Sequence, residues 1–127
     1  MKARKPVLTE HELAIMQIVW QRPAVTVRDV YEELLKRRKI AYTTVMTMMG
    51  ILEGKGYLKK NRDAKAYVYR PTKGKSKVLG SMVSDFVNRV FDGSAKPLLV
   101  HLVENEHLSQ EELDEIAGLL KEKERAS

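Results

Sequence analysis

A chain of 127 residues without a single cysteine can hold no disulfide, no thiolate metal site and no cysteine nucleophile, which suits a reducing, cytoplasmic setting. No apolar run approaches the roughly 20 residues needed to cross a bilayer, and the basic start Met1-Lys2-Ala3-Arg4-Lys5-Pro6 has no apolar stretch behind it, so neither a membrane span nor a secretory signal is expected. The net charge of +6 is divided unevenly: residues 1–75 carry 17 Lys/Arg against 7 Asp/Glu, and residues 76–127 carry 6 against 10, so a half suited to a polyanion precedes an acidic half with separate work.

The first predicted helix covers residues 10–20. Thr9-Glu10-His11-Glu12 is a capping box, and Leu8 and Leu13 flank it as a hydrophobic staple. Leu13, Met16, Val19 and Trp20 form the expected inward stripe, and Arg22-Pro23 stops the helix. A second helix, over residues 27–38, starts on Thr26-Val27-Arg28-Asp29 between Val25 and Val30, with Val30, Tyr31, Leu34 and Leu35 inward. The run Lys36-Arg37-Arg38-Lys39 falls at its end, where cations either complement the helix dipole or contact phosphate.

The third helix, over residues 43–53 and stopped by Gly54 and Gly56, sorts its side chains into two faces at 100° per residue. Val45, Met48, Met49 and Leu52 make one; Thr43, Met46, Thr47 and Gly50 make the other. A merely solvated helix face usually carries Lys and Glu. This one is small, uncharged and partly hydroxylic, as fitting against base edges demands. Two strands follow, residues 58–61 and 66–70, around Arg62-Asp63-Ala64-Lys65, with Tyr67 and Tyr69 alternating with Ala66, Val68 and Arg70. Lys59, Lys60, Arg62 and Lys65 crowd this hairpin. It is either a solvated turn or a ribbon laid along a phosphate backbone.

Pro71-Thr72-Lys73-Gly74-Lys75-Ser76 marks a boundary where the charge sign changes. Beyond it come a helix with Leu79, Met82, Val83, Phe86, Val87, Val90 and Phe91, ended by Asp92-Gly93-Ser94, and a short helix over residues 96–103 with Leu98, Leu99, Val100 and Leu102. A last helix begins at the capping box Ser109-Gln110-Glu111-Glu112, with Leu113, Ile116, Ala117 and Leu120 inward. These three helices offer too few residues for a good closed core alone, so their apolar surface predicts intertwining with a second copy.

The expected fold class is mostly α with a small β wing: a winged helix-turn-helix DNA-binding domain over residues 1–73 and a three-helix dimerisation domain over residues 74–127. Leu8, Thr9, Glu12, Leu13, Met16 and Trp20, the string Ala41-Tyr42-Thr43-Thr44-Val45-Met46-Thr47, and Leu52-Glu53-Gly54-Lys55-Gly56-Tyr57-Leu58 resemble the penicillinase-repressor family of the BlaI, MecI and CopY type. Tyr67-Val68-Tyr69, Phe91-Asp92-Gly93-Ser94 and Leu108-Ser109-Gln110-Glu111-Glu112-Leu113 extend the likeness over nearly the whole chain. The resemblance implies a homodimeric transcriptional repressor on an inverted-repeat operator. Segment 42–47 would enter the major groove, the wing matching residues 60–65 would lie on the backbone, and the C-terminal helices would make the dimer. Two features of the family are missing. The cleaved Asn-Phe bond of β-lactam-responsive members has no counterpart, His101-Leu102 standing at the matching position, and the cysteine cluster of copper-responsive members is absent. The operator, the inducing signal and any sensor or protease pathway are left open.

Tyr42, Thr43, Thr44, Met46 and Thr47, with Lys60, Arg62 and Lys65, are therefore the expected DNA-binding residues. Hydroxyls would come from the threonines, while Met46 and the threonine methyls would pack on thymine methyl groups, unless Met46 is instead partly buried. Tyr42 either bonds a phosphate or packs against the second helix. Lys59 and Arg70 would add sequence-independent attraction. Leu79, Met82, Val83, Phe86, Val90, Leu98, Leu99, Leu102, Leu113, Ile116 and Leu120 are the expected dimer interface.

No enzyme, cofactor or metal is expected. His11-Glu12 begins a zinc-protease pattern, but Ile15 occupies the second histidine's place. His101 and His107 lack a ligand partner at useful spacing, and no carboxylate pair suits acid–base chemistry. The rival function is a winged helix that docks on another protein without sequence-specific DNA binding, and the charge balance argues against it.

Overall fold

The structure, a computed structural model, describes residues 8–126; the basic start, residues 1–6, lies outside them. The elements run α1 (Glu10–Val19), α2 (Val27–Leu35), α3 (Tyr42–Gly54), β1 (Leu58–Asp63), β2 (Ala66–Pro71), α4 (Lys75–Phe91), α5 (Lys96–Glu104) and α6 (Gln110–Ala126). Three helices and a two-stranded antiparallel hairpin make a winged helix. No helix among the described residues is long and apolar enough to cross a membrane.

All three capping boxes form. Thr9, Thr26 and Ser109 each accept a bond from the backbone N–H three residues on, at 3.2, 3.1 and 3.1 Å. In return Glu12, Asp29 and Glu112 each accept the N–H of the capping residue, at 2.8, 2.9 and 2.9 Å. Two otherwise unpaired amides are thus satisfied at each helix start. α3 differs, for Ala41 supplies no side-chain cap.

The core of the first compact unit, which runs through Met82, gathers Ile15, Met16, Val19, Val25, Val30, Val45, Met49 and Leu52 with Leu58, Tyr69 and Val78. α1 contacts α2, α3 and β2. It is therefore buried over a wider arc than the expected stripe, which explains why Ile15 and Ile18 are buried while Leu13 and Trp20 are only half-buried. Leu35, expected inward, is 44% exposed. α2 buries Val27, Val30 and Leu34, and Leu35, turned 100° from Leu34 at the helix's last residue, leaves that stripe. The helix ends there, so Arg37 and Arg38 lie past it rather than inside it as expected.

The hairpin is also tighter than expected. Arg62 and Asp63 stay in the ladder opposite Tyr67 and Ala66, leaving Ala64 and Lys65 as a two-residue turn. Ala64 takes a left-handed φ of 54°, a conformation an L-residue adopts at some cost. Val25 adds a third, one-residue rung, its N–H and C=O pairing with Tyr69 at 3.0 and 2.7 Å. After β2 the chain is tied down again: Thr72 Oγ1 donates to the Gly56 carbonyl at 2.6 Å and Trp20 Nε1 donates to the Lys73 carbonyl at 3.0 Å. Val78 of α4 enters this core and Met82, expected in the dimer face, packs partly against it.

Glu12 is the one buried charged residue among those described. Lys55, from the residue after α3, donates to its Oε1 at 2.8 Å. Burial pushes the Glu12 carboxyl upward, but the Lys55 ammonium and the Thr9 amide outweigh it and hold the group below its ordinary value. A carboxylate depressed in the folded state stabilises the fold fully above its unfolded value and loses that contribution as pH falls through the folded one. Glu12→Ala removes a carboxylate partner of a part-buried ammonium and half a capping box. It should cost about 3 kcal/mol in urea unfolding at neutral pH, and less in acid. Equal stability of the two proteins at pH 7 would contradict the pairing.

The second unit, from Val83 on, holds the rest of α4 with α5 and α6. Asp92 and Gly93, with φ of 51° and 84°, end α4, and Pro97 sits in the first turn of α5. Phe91 lies between Phe86 and His101, its ring centroid 5.9 and 6.0 Å from theirs. No described residue of this unit is fully buried.

Candidate nucleic-acid interface

α3 exposes a face without charge. Thr43, Thr44, Met46, Thr47 and Gly50 are all exposed, while Val45, Met49 and Leu52 are buried and Met48 half-buried on the other side. Met46 is 47% exposed, so of its two expected placements the helix surface is the one it takes. The first charged residue of the helix is Glu53, in its last turn. Ala41 provides no side-chain cap at the start of α3, a terminus of the kind that favours anions.

Tyr42 packs against the second helix. Its ring meets Tyr31 edge-on at 5.5 Å, and the Arg28 guanidinium carbon lies 5.7 Å from its centroid. Neither contact was visible in local spacing, because both join residues on different helices. Tyr42 is still 38% exposed.

On the wing the ladder register decides which cations share a face. Lys60 stands opposite Tyr69 and Arg62 opposite Tyr67. The Lys60 ammonium lies 4.6 Å and the Arg62 guanidinium 5.7 Å from the Tyr67 ring centroid, so one exposed tyrosine holds two cations by cation–π attraction. On the other face Lys59 stands directly opposite Arg70, a like-charge pair that weakens the ladder. Lys65 occupies the turn. Among the described residues none of Lys59, Lys60, Arg62, Lys65 or Arg70 has a carboxylate at ion-pair distance. Burial pushes the Tyr69 phenol up, against the opposing pull of the Lys60 ammonium.

The basic run after α2 is different. Lys36 pairs with Glu33 at 3.0 Å, and Arg22 reaches the same carboxylate at 3.1 Å. The Lys36 contact, helped by Arg22, holds Glu33 below its ordinary value. Arg38 lies 2.6 Å from His11 Nδ1. Two of the four cations are thus engaged within the fold, and Arg37 and Lys39 are exposed.

Of the expected dimer residues, Val83, Phe86, Val90, Leu99, Ile116 and Leu120 are exposed in the single chain, and Leu79, Leu98, Leu102 and Leu113 are half-buried. His101 and Leu102 lie within α5. No three His, Asp or Glu side chains among the described residues gather as a metal site.

The family model described as Penicillinase repressor matches residues 8–122. The penicillinase repressor of Bacillus licheniformis is 28% identical over 117 residues, 92% of this chain and 91% of that protein. The transcriptional regulator BlaI of Mycobacterium tuberculosis is 38% identical over 99 residues, 76% of this chain and 72% of that one. Among solved structures, the DNA-binding domain of the repressor BlaI in solution superposes with a TM-score of 0.52 at 29% identity, covering 60% of this chain and 92% of that one. The monomeric form of Bacillus licheniformis BlaI bound to the blaP half-operator gives 0.51 at 27% identity, over 57% and 89%.

Proposed function

The chain belongs to the penicillinase repressor family, and from that premise we propose that it is a homodimeric, sequence-specific DNA-binding repressor of transcription acting on an inverted-repeat operator. The observation that carries the proposal is the uncharged, exposed face of α3 beside a wing whose cations have no carboxylate at ion-pair distance among the described residues. A groove of bases favours the first, and a phosphate backbone the second. The half-operator bound by a BlaI monomer supports one half-site per protomer.

In this arrangement α3 lies in the major groove. Thr43, Thr44 and Thr47 offer hydroxyls, and Met46 and the threonine methyls pack on thymine methyl groups. With no Arg, Lys, Asn or Gln on that face, bidentate readout of guanine or adenine from α3 is absent. Tyr42, fixed by Tyr31, directs its phenol toward a phosphate. Lys60, Arg62 and Lys65, with Lys59 and Arg70, supply attraction through release of condensed counterions, and the Lys59–Arg70 repulsion is relieved when an anion lies between them. By function the chain divides into a DNA-binding part, residues 1–73, and a dimerisation part, residues 74–127, with the start of α4 through Met82 packed as part of the first compact unit.

The test is retention of the full chain on random-sequence duplex and its elution by salt. Steep salt dependence is expected, and weak, salt-insensitive retention would favour docking on another protein. In the double variant Lys60→Ala/Arg62→Ala, the slope of log K against log salt should flatten by about 2, one for each lost phosphate contact. An unchanged slope would take the wing out of the interface.

A further inference from the structure

Gly50 has no reason internal to the fold for being glycine. It sits in the interior of the 13-residue helix α3, where only proline is a poorer helix former. Its φ is not left-handed, and beyond its chain neighbours and its own helix backbone a Cβ added to it would meet no atom of the described residues within 4 Å. Nor does it end the helix, as Gly54 does. A side chain there would be tolerated and the helix would be firmer for it. What sets Gly50 apart from other helical glycines with open space, Gly80 and Gly118, is its address. It follows Met46 and Thr47 by four and three residues on the same exposed side, one further turn along a surface that carries no charge before Glu53.

Given the DNA-binding reading above, on which this rests, we infer that Gly50 is the point where α3 approaches the duplex most closely, its missing Cβ letting the helix seat deeply enough for Met46 and Thr47 to reach base edges. A helix bearing methyl-sized groups rather than long polar side chains reads bases only at short range, so the backbone itself must come near the groove wall. An alanine methyl at position 50 would hold the helix off by about its own radius and loosen every contact at once.

The experiment uses the full chain. Wild-type protein first selects its preferred duplex from a random library; failure to select any sequence would remove the DNA-binding reading itself, independently of Gly50. Gly50→Ala is then compared with wild type in thermal melting and in anisotropy titrations on the selected duplex and on a scrambled one at the same salt. The variant should melt higher, bind the selected duplex at least about ten-fold more weakly, the worth of one good base contact, and bind the scrambled duplex nearly as wild type does. Unchanged affinity for the selected duplex would overturn the inference. So would an equal loss on both duplexes, or a lower melting temperature, which would show that the fold itself needs the glycine.

Discussion

Thr47→Glu should reduce binding to the preferred duplex to the level of random DNA, a loss of about 10³-fold or more, while leaving the melting temperature close to that of wild type. The two parts of this expectation have different physical origins. Thr47 is exposed and lies on the opposite side of α3 from Val45, Met49 and Leu52, so a longer side chain disturbs no packing. Glutamate also favours the helix slightly over the β-branched threonine. In the groove the change is severe. A carboxylate carries no donor, and it is brought toward guanine and thymine acceptors and between two rows of phosphates. The wing cations are untouched, so residual binding should keep its dependence on salt and lose only its preference for sequence. A variant that held the selected duplex as tightly as wild type would show that α3 is not the reading element.

Which parts of this molecule were legible in its sequence follows from the range of the interactions involved. Each capping box joins residues three apart, so Thr9 with Glu12, Thr26 with Asp29 and Ser109 with Glu112 could be read directly, and all three form. The two faces of α3 follow from helical geometry alone, and the exposed and buried sides are those expected. Contacts between distant residues were not legible. The Glu12–Lys55 pair spans 43 residues, the Trp20 bond to the Lys73 carbonyl spans 53, and the Val25–Tyr69 bridge joins a loop to a strand. No local pattern encodes them. The hairpin turn is hidden for a different reason: it uses Ala64 in a left-handed conformation without the Gly or Asn that usually announces one, and the ladder runs two residues further than the sequence pattern predicts. A leucine at position 35 predicts an inward side chain, but the helix closes at that residue and Leu35 is exposed.

Splitting the proposed dimer should weaken operator binding even though no residue of the proposed DNA-contacting set changes. In the single chain Phe86 is 42% and Leu120 is 58% exposed, Val83, Val90, Leu99 and Ile116 are exposed with them, and no described residue of the second unit is fully buried. At about 25 cal/mol per Å² of apolar surface, a face of this kind is a strong incentive to associate. An aspartate within it must either lose its water or hold the partner away. Phe86→Asp and Leu99→Asp should each give a monomer in analytical ultracentrifugation. Joined protomers make the second half-site contact intramolecular, so each variant should lose about 10²- to 10⁴-fold in affinity for a duplex carrying both half-sites. Affinity for a single half-site should stay as it was, which separates loss of pairing from loss of the DNA-binding fold. If both variants sediment as dimers, the apolar face of the C-terminal helices serves something other than pairing two copies. The basic unit would then have to hold its operator without the gain of a second attachment.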